Sequence, residues 1–424
     1  MYLFDLAIRR ETKNRWERRA PLTPQHVEEL VREQGRRVAV QPSEIRVFGD
    51  DEYRAAGATV QEDLSGCRAV LGIKEVPPPE LLPGVPQLAF FHVIKGQEQN
   101  LPILRRALEV GATLIDYEAV TDRRGRRLLF FGRQAGQAGM IDALWTLGRR
   151  LAAEGIETPL TAVRQATAYA TLEEALDLLA GLVGREIRER GLPPEVHPLV
   201  VGVTGGGNVS RGAQEVLDRL PVVQVPPEEL AGLAEHRELS HRTLYKVVFR
   251  RDARRRFERH LPHLTVLVNG IYWEPGDPRL VSWDELAALW QGPGAPGLRV
   301  LADLSCDIEG SIEATVRTTD PGEPVYTVAP RERRIAGFGV EGLTAAGPVV
   351  LAVDNLPAEI PRESSEHFGD SLFPYLAALA EADPAAELDR LALPEPLLAA
   401  VVTHRGELTP EFRYLERFLR KVPA

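Results

Sequence analysis

Two side chains able to move protons stand where apolar strands are due to end. Lys74, followed by Glu75, closes the run Ala69 to Ile73, and His92 falls within Leu88 to Ile94, ahead of Lys95, Gln97 and Glu98. In open α/β sheets ligands lie beyond the carboxyl ends of strands, so the two could face one cleft from neighbouring strands. Histidine titrates near neutral pH unaided, and lysine does so once desolvation lowers it from its reference value of about 10.4. A lysine and histidine pair therefore suits chemistry at an amine and a carbonyl, imine formation included. Glu75, and Glu118 after Ile115, Asp116 and Tyr117, would favour the charged lysine and counter that depression. The plainer alternatives are a histidine satisfied inside its strand and a glutamate that caps a strand end.

Arginines gather near the same segments. Arg15, Arg18 and Arg19 surround Trp16 and Glu17 after the first apolar run, and Arg126 and Arg127 follow a turn at Asp122 to Gly125. Guanidinium forks grip carboxylates bidentately, as an amino-acid substrate with several carboxylates requires. Surface solubility is the competing explanation.

A second kind of chemistry is written at Gly205-Gly206-Gly207-Asn208-Val209-Ser210. The loop follows the buried-strand pattern Leu199 to Thr204 and leads into the helical stretch Arg211 to Leu220. In that setting Gly205 permits the tight turn, Gly207 lets backbone approach a pyrophosphate, and the helix start offers unpaired N–H groups. Ser210 stands where a third glycine usually lies, which predicts slightly relaxed packing. The ribose-binding carboxylate due about 20 residues on is missing. That region reads Val223, Gln224, Val225, Pro226, with Glu228 and Glu229 only beyond it. NADPH is favoured over NADH on this ground, and NADH stays possible.

The elements that position these groups alternate throughout. Apolar, β-branched runs at 3–9, 69–74, 88–94, 199–204, 266–268, 300–304 and 349–353 are separated by amphipathic helical stretches, which predicts an α/β fold of parallel sheets wrapped by helices. Helix starts are legible at Thr23-Pro24, at Thr171 with Glu174, and at Ser282 with Glu285. Gln137 to Ala153 reads as one long helix. At 424 residues the chain exceeds what one core supports. The expected division is a substrate and catalytic Rossmann-like domain at 1–135 plus 343–424, and a dinucleotide-binding one at 136–342. The helices after Pro361 have no sheet of their own and are expected to return to the first domain, with the active site in the cleft between the two.

Composition narrows the partners. A net charge of -10 disfavours nucleic acid, and the basic run of Arg250, Arg251, Arg254, Arg255 and Arg256 reads as a solvated helix face. Two cysteines are too few for a disulfide framework or a thiolate metal site, so no metal is expected and a reducing cytoplasm fits. The amino terminus lacks a signal-peptide pattern, and no apolar run nears ~18 residues, so no membrane partner is expected. Monomer and homodimer both remain open.

Ordered blocks along nearly the whole chain carry a resemblance. They are IRRETKNRWERRAPLTPQHV from Ile8, GIKEVP from Gly72, FFHVIKGQE from Phe90, LIDYEAV from Leu114, FGRQAGQAGMID from Phe131, TGGGNVSRGAQ from Thr204, NGIYWE from Asn269 and VDNLPAEIPRESSEHFGD from Val353. Together they resemble the lysine-ketoglutarate reductase family and, more distantly, the fungal lysine-forming saccharopine dehydrogenases. The resemblance implies two Rossmann-like domains related to those of alanine dehydrogenase and transhydrogenase. It implies Lys74 and His92 as the acid–base pair, Arg19 and Arg127 at substrate carboxylates with Arg126 as near alternative, and Asp354 facing the cofactor. Lysine, 2-oxoglutarate and saccharopine are the implied small-molecule substrates. Asn269, Ile271, Tyr272 and Asp303, at the ends of second-domain strands, are expected on the nicotinamide side. Glu75 looks like the fungal branch while WERRAPLTP, NVSRGAQ and NGIYWE look like the reductase branch, which leaves working direction open. The rivals are an opine or amino-acid dehydrogenase with another amine donor or oxo acid, and a non-catalytic cofactor-sensing protein.

Overall fold

The computed structural model describes residues 2–235, 239–250, 257–291 and 297–420. It divides into two compact units, residues 1–131 with 361–424, and residues 132–360. Strands β1 (Leu6–Ile8), β2 (Val38–Val40), β3 (Thr59–Val60), β4 (Val70–Lys74), β5 (Pro86–Phe90) and β6 (Thr113–Asp116) belong to the first unit. The second holds β7 (Val200–Thr204), β8 (Val222–Gln224), β9 (Leu244–Phe249), β10 (Val266–Asn269), β11 (Val300–Asp303), β12 (Val325–Ala329), β13 (Arg334–Phe338) and β14 (Val349–Leu351). Strands β15 (Val401–His404) and β16 (Glu407–Leu408) return to the first sheet.

The first sheet runs β3-β2-β1-β4-β5-β6 in parallel, then adds β15 and β16 antiparallel. This is a doubly wound order whose direction reverses between β1 and β4, where such sheets bind ligands. Its strands are buried almost end to end, as helices on both faces require. Helix Pro361–Leu372 ties the late segment to this sheet through Phe368, which stacks on Phe131 at 4.9 Å and meets Tyr117 edge-on at 5.0 Å. The segment after Pro361 has no sheet of its own, but it adds strands as well as helices to the first unit, with β15 pairing to β6. Four residues between helical stretches carry too little periodicity to announce a strand.

The second sheet runs β8-β9-β7-β10-β11-β14-β12-β13. β12 pairs antiparallel with β14 and with β13, so the sheets are mixed at their edges rather than wholly parallel. The order reverses between β7 and β10, which puts the glycine loop at this sheet's own switch point. The long helix spans Gly132–Ala153 and is buried along most of its length against helix Asn208–Leu217. A Cβ on Gly136 would lie 1.9 Å from the Val209 carbonyl oxygen, and one on Gly212 would lie 2.0 Å from that of Arg133. Close packing is therefore not relaxed by Ser210, because Gly212 and Gly136 supply it. The helix starts form as their residues dictate: Thr23 accepts from His26 N, Thr171 from Glu174 N, and Ser282 exchanges a full capping box with Glu285.

Candidate active site

In the first sheet Lys74 is the last residue of β4, and its register partner on β5 is Phe90, two residues before His92. The chain thus brings Lys74 and His92 to adjacent strand ends. His92 does not sit within the strand, however. β5 stops at Phe90, and His92 turns in the left-handed region with φ +55°. Phe91 and Val93 bury into the same cluster on either side of it, so the apolar pattern continues past the point where the backbone leaves the sheet. A bulky residue in that conformation is the kind of local strain that clusters at functional sites.

Glu118 organises what surrounds His92. Asp116, at the end of β6, accepts from Glu118 N at 2.9 Å and so caps the turn that presents the glutamate. The Glu118 carboxylate lies 3.4 Å from His92 Nδ1 and 3.3 Å from Lys95 Nζ, and it accepts from Arg127. Burial pushes this carboxyl upward, but the His92 hydrogen bond and the cations of Arg127 and Lys95 outweigh it and bring it to about 2. Asp116 moves the other way, to about 6, because it is fully buried and faces the Glu118 charge. Lys13 Nζ holds Glu75 at 2.9 Å, and against the upward push of burial that cation keeps the Glu75 carboxyl low.

The arginines separate by placement. Arg127 joins the Glu118 cluster and keeps half its side chain exposed, whereas Arg126 turns outward and braces Asp122 of its own turn at 2.7 Å. Arg19 is buried, donates to Glu17 at 2.7 Å from Nε, and lies over the Phe131 ring at 4.3 Å. Sequence reasoning passed over two buried carboxylates as candidates: Glu17, which pairs locally with Arg19, and Glu11, whose partners Ile73 N and Lys74 N come from tertiary packing. The available signal was a carboxylate three residues beyond β1 at the switch point.

In the second sheet the carboxyl ends of β7, β10, β11 and β14 carry the other group of candidates. Gly205 has φ +93°, and a Cβ there would lie 3.1 Å from the Gly270 carbonyl oxygen. Open space surrounds the missing Cβ positions of Gly206 and Gly207, and Gly207 caps the helix that begins at Asn208. Bare backbone at a helix amino terminus fits a dinucleotide pyrophosphate. Thr204 Oγ1 donates to Asn269 Oδ1 at 2.8 Å, and Asn269 Nδ2 donates to Asp303 at 2.9 Å. Ser305 and Thr315 also donate to Asp303. Asn269 and Asp303 are fully buried, so they lock the loops around the glycine turn, while Tyr272 is 61% exposed. Ile271 packs beside Gly205, and Ser210 is buried with Gln214 donating to it. Val209 is half-buried, and Asp354 is exposed after β14.

β8, the strand about 20 residues past the glycine loop, lies at the edge of the sheet. β9, not β8, lies beside β7, and it ends at Phe249 with Arg250 next. A hollow of about 300 Å³ beside the glycine loop is lined by Gly205, Gly206, Arg211, Gln214, Gln224, Val248 and Arg250, with no carboxylate among them. Val225 turns into the core beside Leu230 and Tyr245. Arg251, Arg254, Arg255 and Arg256 lie outside the described residues. A larger hollow, about 1120 Å³, opens around Glu157, Arg190, His197 and His241 and contains none of these candidates.

Two doubly wound units, one with Lys74, His92 and Glu118 at or just past its strand ends and the other with a bare glycine loop at its switch point, define a two-unit α/β protein with Rossmann-like sheets. Residues 7–138 match the family described as alanine dehydrogenase/PNT, N-terminal domain, and residues 183–411 its C-terminal domain, so the chain belongs to the alanine dehydrogenase/PNT family. It is homologous to the mitochondrial alpha-aminoadipic semialdehyde synthase of Bos taurus, 35% identical over 97% of this chain and 47% of that protein. It is 30% identical to the saccharopine dehydrogenase [NAD(+), L-lysine-forming] of Neurospora crassa, over 88% of this chain and 91% of that one. The chain spans about half the length of the semialdehyde synthases it matches. Among solved structures an L-alanine dehydrogenase superposes with a TM-score of 0.64 at 21% identity, covering 98% of this chain and 99% of that one, and shares the fold. No helix among the described residues is long and apolar enough to cross a membrane, and no cluster of metal-binding side chains occurs among them.

Proposed function

We propose that the chain is a nicotinamide-dependent oxidoreductase of lysine metabolism that reversibly joins L-lysine and 2-oxoglutarate into saccharopine, with NADPH the favoured reductant and NADH a possible one. The observation that carries this reading is the placement of Lys74 at the end of β4 and of His92, held by Glu118, just past the end of the adjacent β5, in a chain homologous to proteins named for saccharopine chemistry.

In this reading the first unit handles the substrates and the second the dinucleotide. One of Lys74 and His92 relays protons as the lysine amine attacks the 2-oxoglutarate carbonyl and water leaves. The other protonates the amine product or holds the carbonyl oxygen. Glu118, ionised at neutral pH, lies 3.4 Å from His92 Nδ1, and Glu75 adds negative charge next to Lys74 in the chain. Arg127 is the guanidinium best placed to take a substrate carboxylate, with Arg126 beside it and Arg19 acting from its pair with Glu17.

Gly205 to Ser210 would hold the pyrophosphate, with Asn269 and Asp303 fixing the loops and Ile271, Tyr272 and Asp354 at the same strand ends. The acid-free hollow with Arg211 and Arg250 favours a phosphorylated ribose over a free diol. When bound, the reduced nicotinamide supplies the hydride that converts the imine to the secondary amine. Two free cysteines suit a reducing compartment, the cytoplasm by preference. The test is steady-state oxidation of each reduced nicotinamide with 2-oxoglutarate and a panel of amines. Lysine with NADPH is expected to give the highest kcat/KM, and a higher value with ornithine would redirect the assignment to another opine-type dehydrogenase.

A further inference from the structure

β4 ends differently from the strands beside it. Its pairing with β1 reaches only Ile8 opposite Leu71, where Arg9 N donates to Leu71 O at 2.9 Å. Its register against β5 slips between Leu71 and Lys74. Within that slip two consecutive backbone N–H groups turn to one side chain. Ile73 N donates to Glu11 Oε1 at 2.7 Å, and Lys74 N donates to Glu11 Oε2 at 3.0 Å. A single carboxylate from the segment after β1 thus stands in for the partner strand that these two peptide groups lack.

The surroundings are built to keep Glu11 there. It is buried, with Arg9 Nη1 3.7 Å from its Oε2, while Arg9 Nη2 is anchored by Glu80 at 2.9 Å and Thr12 at 3.2 Å. Burial, joined by the nearby Glu17 charge, raises the Glu11 carboxyl despite Arg9 and the two backbone donors. Gly72 leaves room for the arrangement, since a Cβ there would lie 2.9 Å from Arg9 Cδ and 3.4 Å from Glu11 Oε1.

We propose that Glu11 is a positioning residue whose carboxylate fixes the last two peptide groups of β4 and thereby the direction in which Lys74 leaves the sheet. The inference rests on the reading of Lys74 as an acid–base group. The direction of a Cα–Cβ bond follows from the backbone at that residue, and a slipped strand end has backbone freedom that a regular ladder removes. Displacing an acid–base group by about 1 Å costs on the order of 100-fold in rate.

The full chain carrying Glu11→Gln tests this, because the amide keeps the volume but offers one acceptor oxygen to two donors. The expected result is a kcat lowered about 10- to 100-fold with KM values changed less than about threefold. Amide hydrogen exchange is expected to speed up at Ile73 and Lys74 ahead of the rest of the sheet, and Glu11→Asp is expected to recover part of the lost kcat. Parental kcat in Glu11→Gln overturns the proposal. So does faster exchange spread evenly over the first unit with a lowered thermal midpoint, which marks a general structural role. Lys74→Met, measured in parallel, separates the two levels. If it retains parental turnover, the Lys74 reading fails and the catalytic role of Glu11 falls with it; if it is inactive while Glu11→Gln is unaffected, only the clamp is wrong.

Discussion

The two switch points of this molecule are furnished in opposite ways. At the carboxyl ends of the first sheet, charge is concentrated: one glutamate gathers a histidine, a lysine and an arginine, and Lys74 ends the neighbouring strand. At those of the second sheet the glycine loop is bare backbone with Arg211 and Arg250 beside it, and the buried Asp303 carboxylate accepts from Asn269, Ser305 and Thr315. Proton transfer needs groups that change charge near neutral pH, whereas holding a pyrophosphate needs oriented N–H groups and close approach. In the proposed reading one topology supports two functions, and the groups at the strand ends decide which is which.

If that division is real, mutations at the two ends separate rate from binding. Lys74→Met and His92→Gln are each expected to lower kcat by about 10² to 10⁴-fold while NADPH affinity, read by fluorescence titration, stays at the parental value. A parallel loss of NADPH binding would break the comparison. Conversely, replacing both Arg211 and Arg250 by Ala is expected to cut the NADPH-to-NADH ratio of kcat/KM by roughly 10- to 100-fold with little change for NADH. An unchanged ratio would move the ribose phosphate away from this hollow.

Glu118→Gln sharpens the comparison on the acid–base side. The amide cannot hold His92, Lys95 and Arg127 as the carboxylate does, so kcat is expected to fall about 10-fold while NADPH affinity stays at the parental value. Parental kcat in Glu118→Gln would show that this carboxylate does not position the acid–base groups.

A smaller effect distinguishes the units through stability. Glu118 has its carboxyl lowered to about 2 from 4.5, so its contribution is present above pH 4.5 and is lost as pH falls toward 2. In the second unit, Asp142 is raised to about 6 from 3.8 by burial, and Glu359 is raised well above 4.5 by burial and by the neighbouring Asp142 charge. Their contribution is present at low pH and is lost as pH climbs through about 6 and beyond. Asp142→Asn is therefore expected to flatten the fall in the second unit's melting temperature as pH rises from 3.8 to about 6, by on the order of 5 °C, and to leave the acid loss of the first unit unchanged.

Much of this was legible in the sequence because it is local. The alternation of apolar runs and helical stripes, the glycine turn after Thr204 and the caps at Thr23, Thr171 and Ser282 each depend on residues within a few positions. The close of the run Ala69 to Ile73 on Lys74 is equally local. The missed features depend on distant partners. β9 takes the place beside β7, so counting 20 residues from the glycine loop arrived at β8 instead. β15 is defined by its pairing with β6, nearly 300 residues earlier in the chain. The left-handed turn at His92 hides under an unbroken apolar pattern. Glu11 looks like a surface charge until the sheet brings Ile73 and Lys74 to it.

The most direct test of the account follows the hydride itself. The full chain would be incubated with L-lysine, 2-oxoglutarate and NADPH deuterated at the transferable position of the nicotinamide, and the product analysed by mass spectrometry. The account predicts saccharopine carrying one deuterium, on the carbon that was the 2-oxoglutarate carbonyl. Deuterated coenzyme consumed without labelled saccharopine, or no lysine-dependent consumption at all, would contradict it.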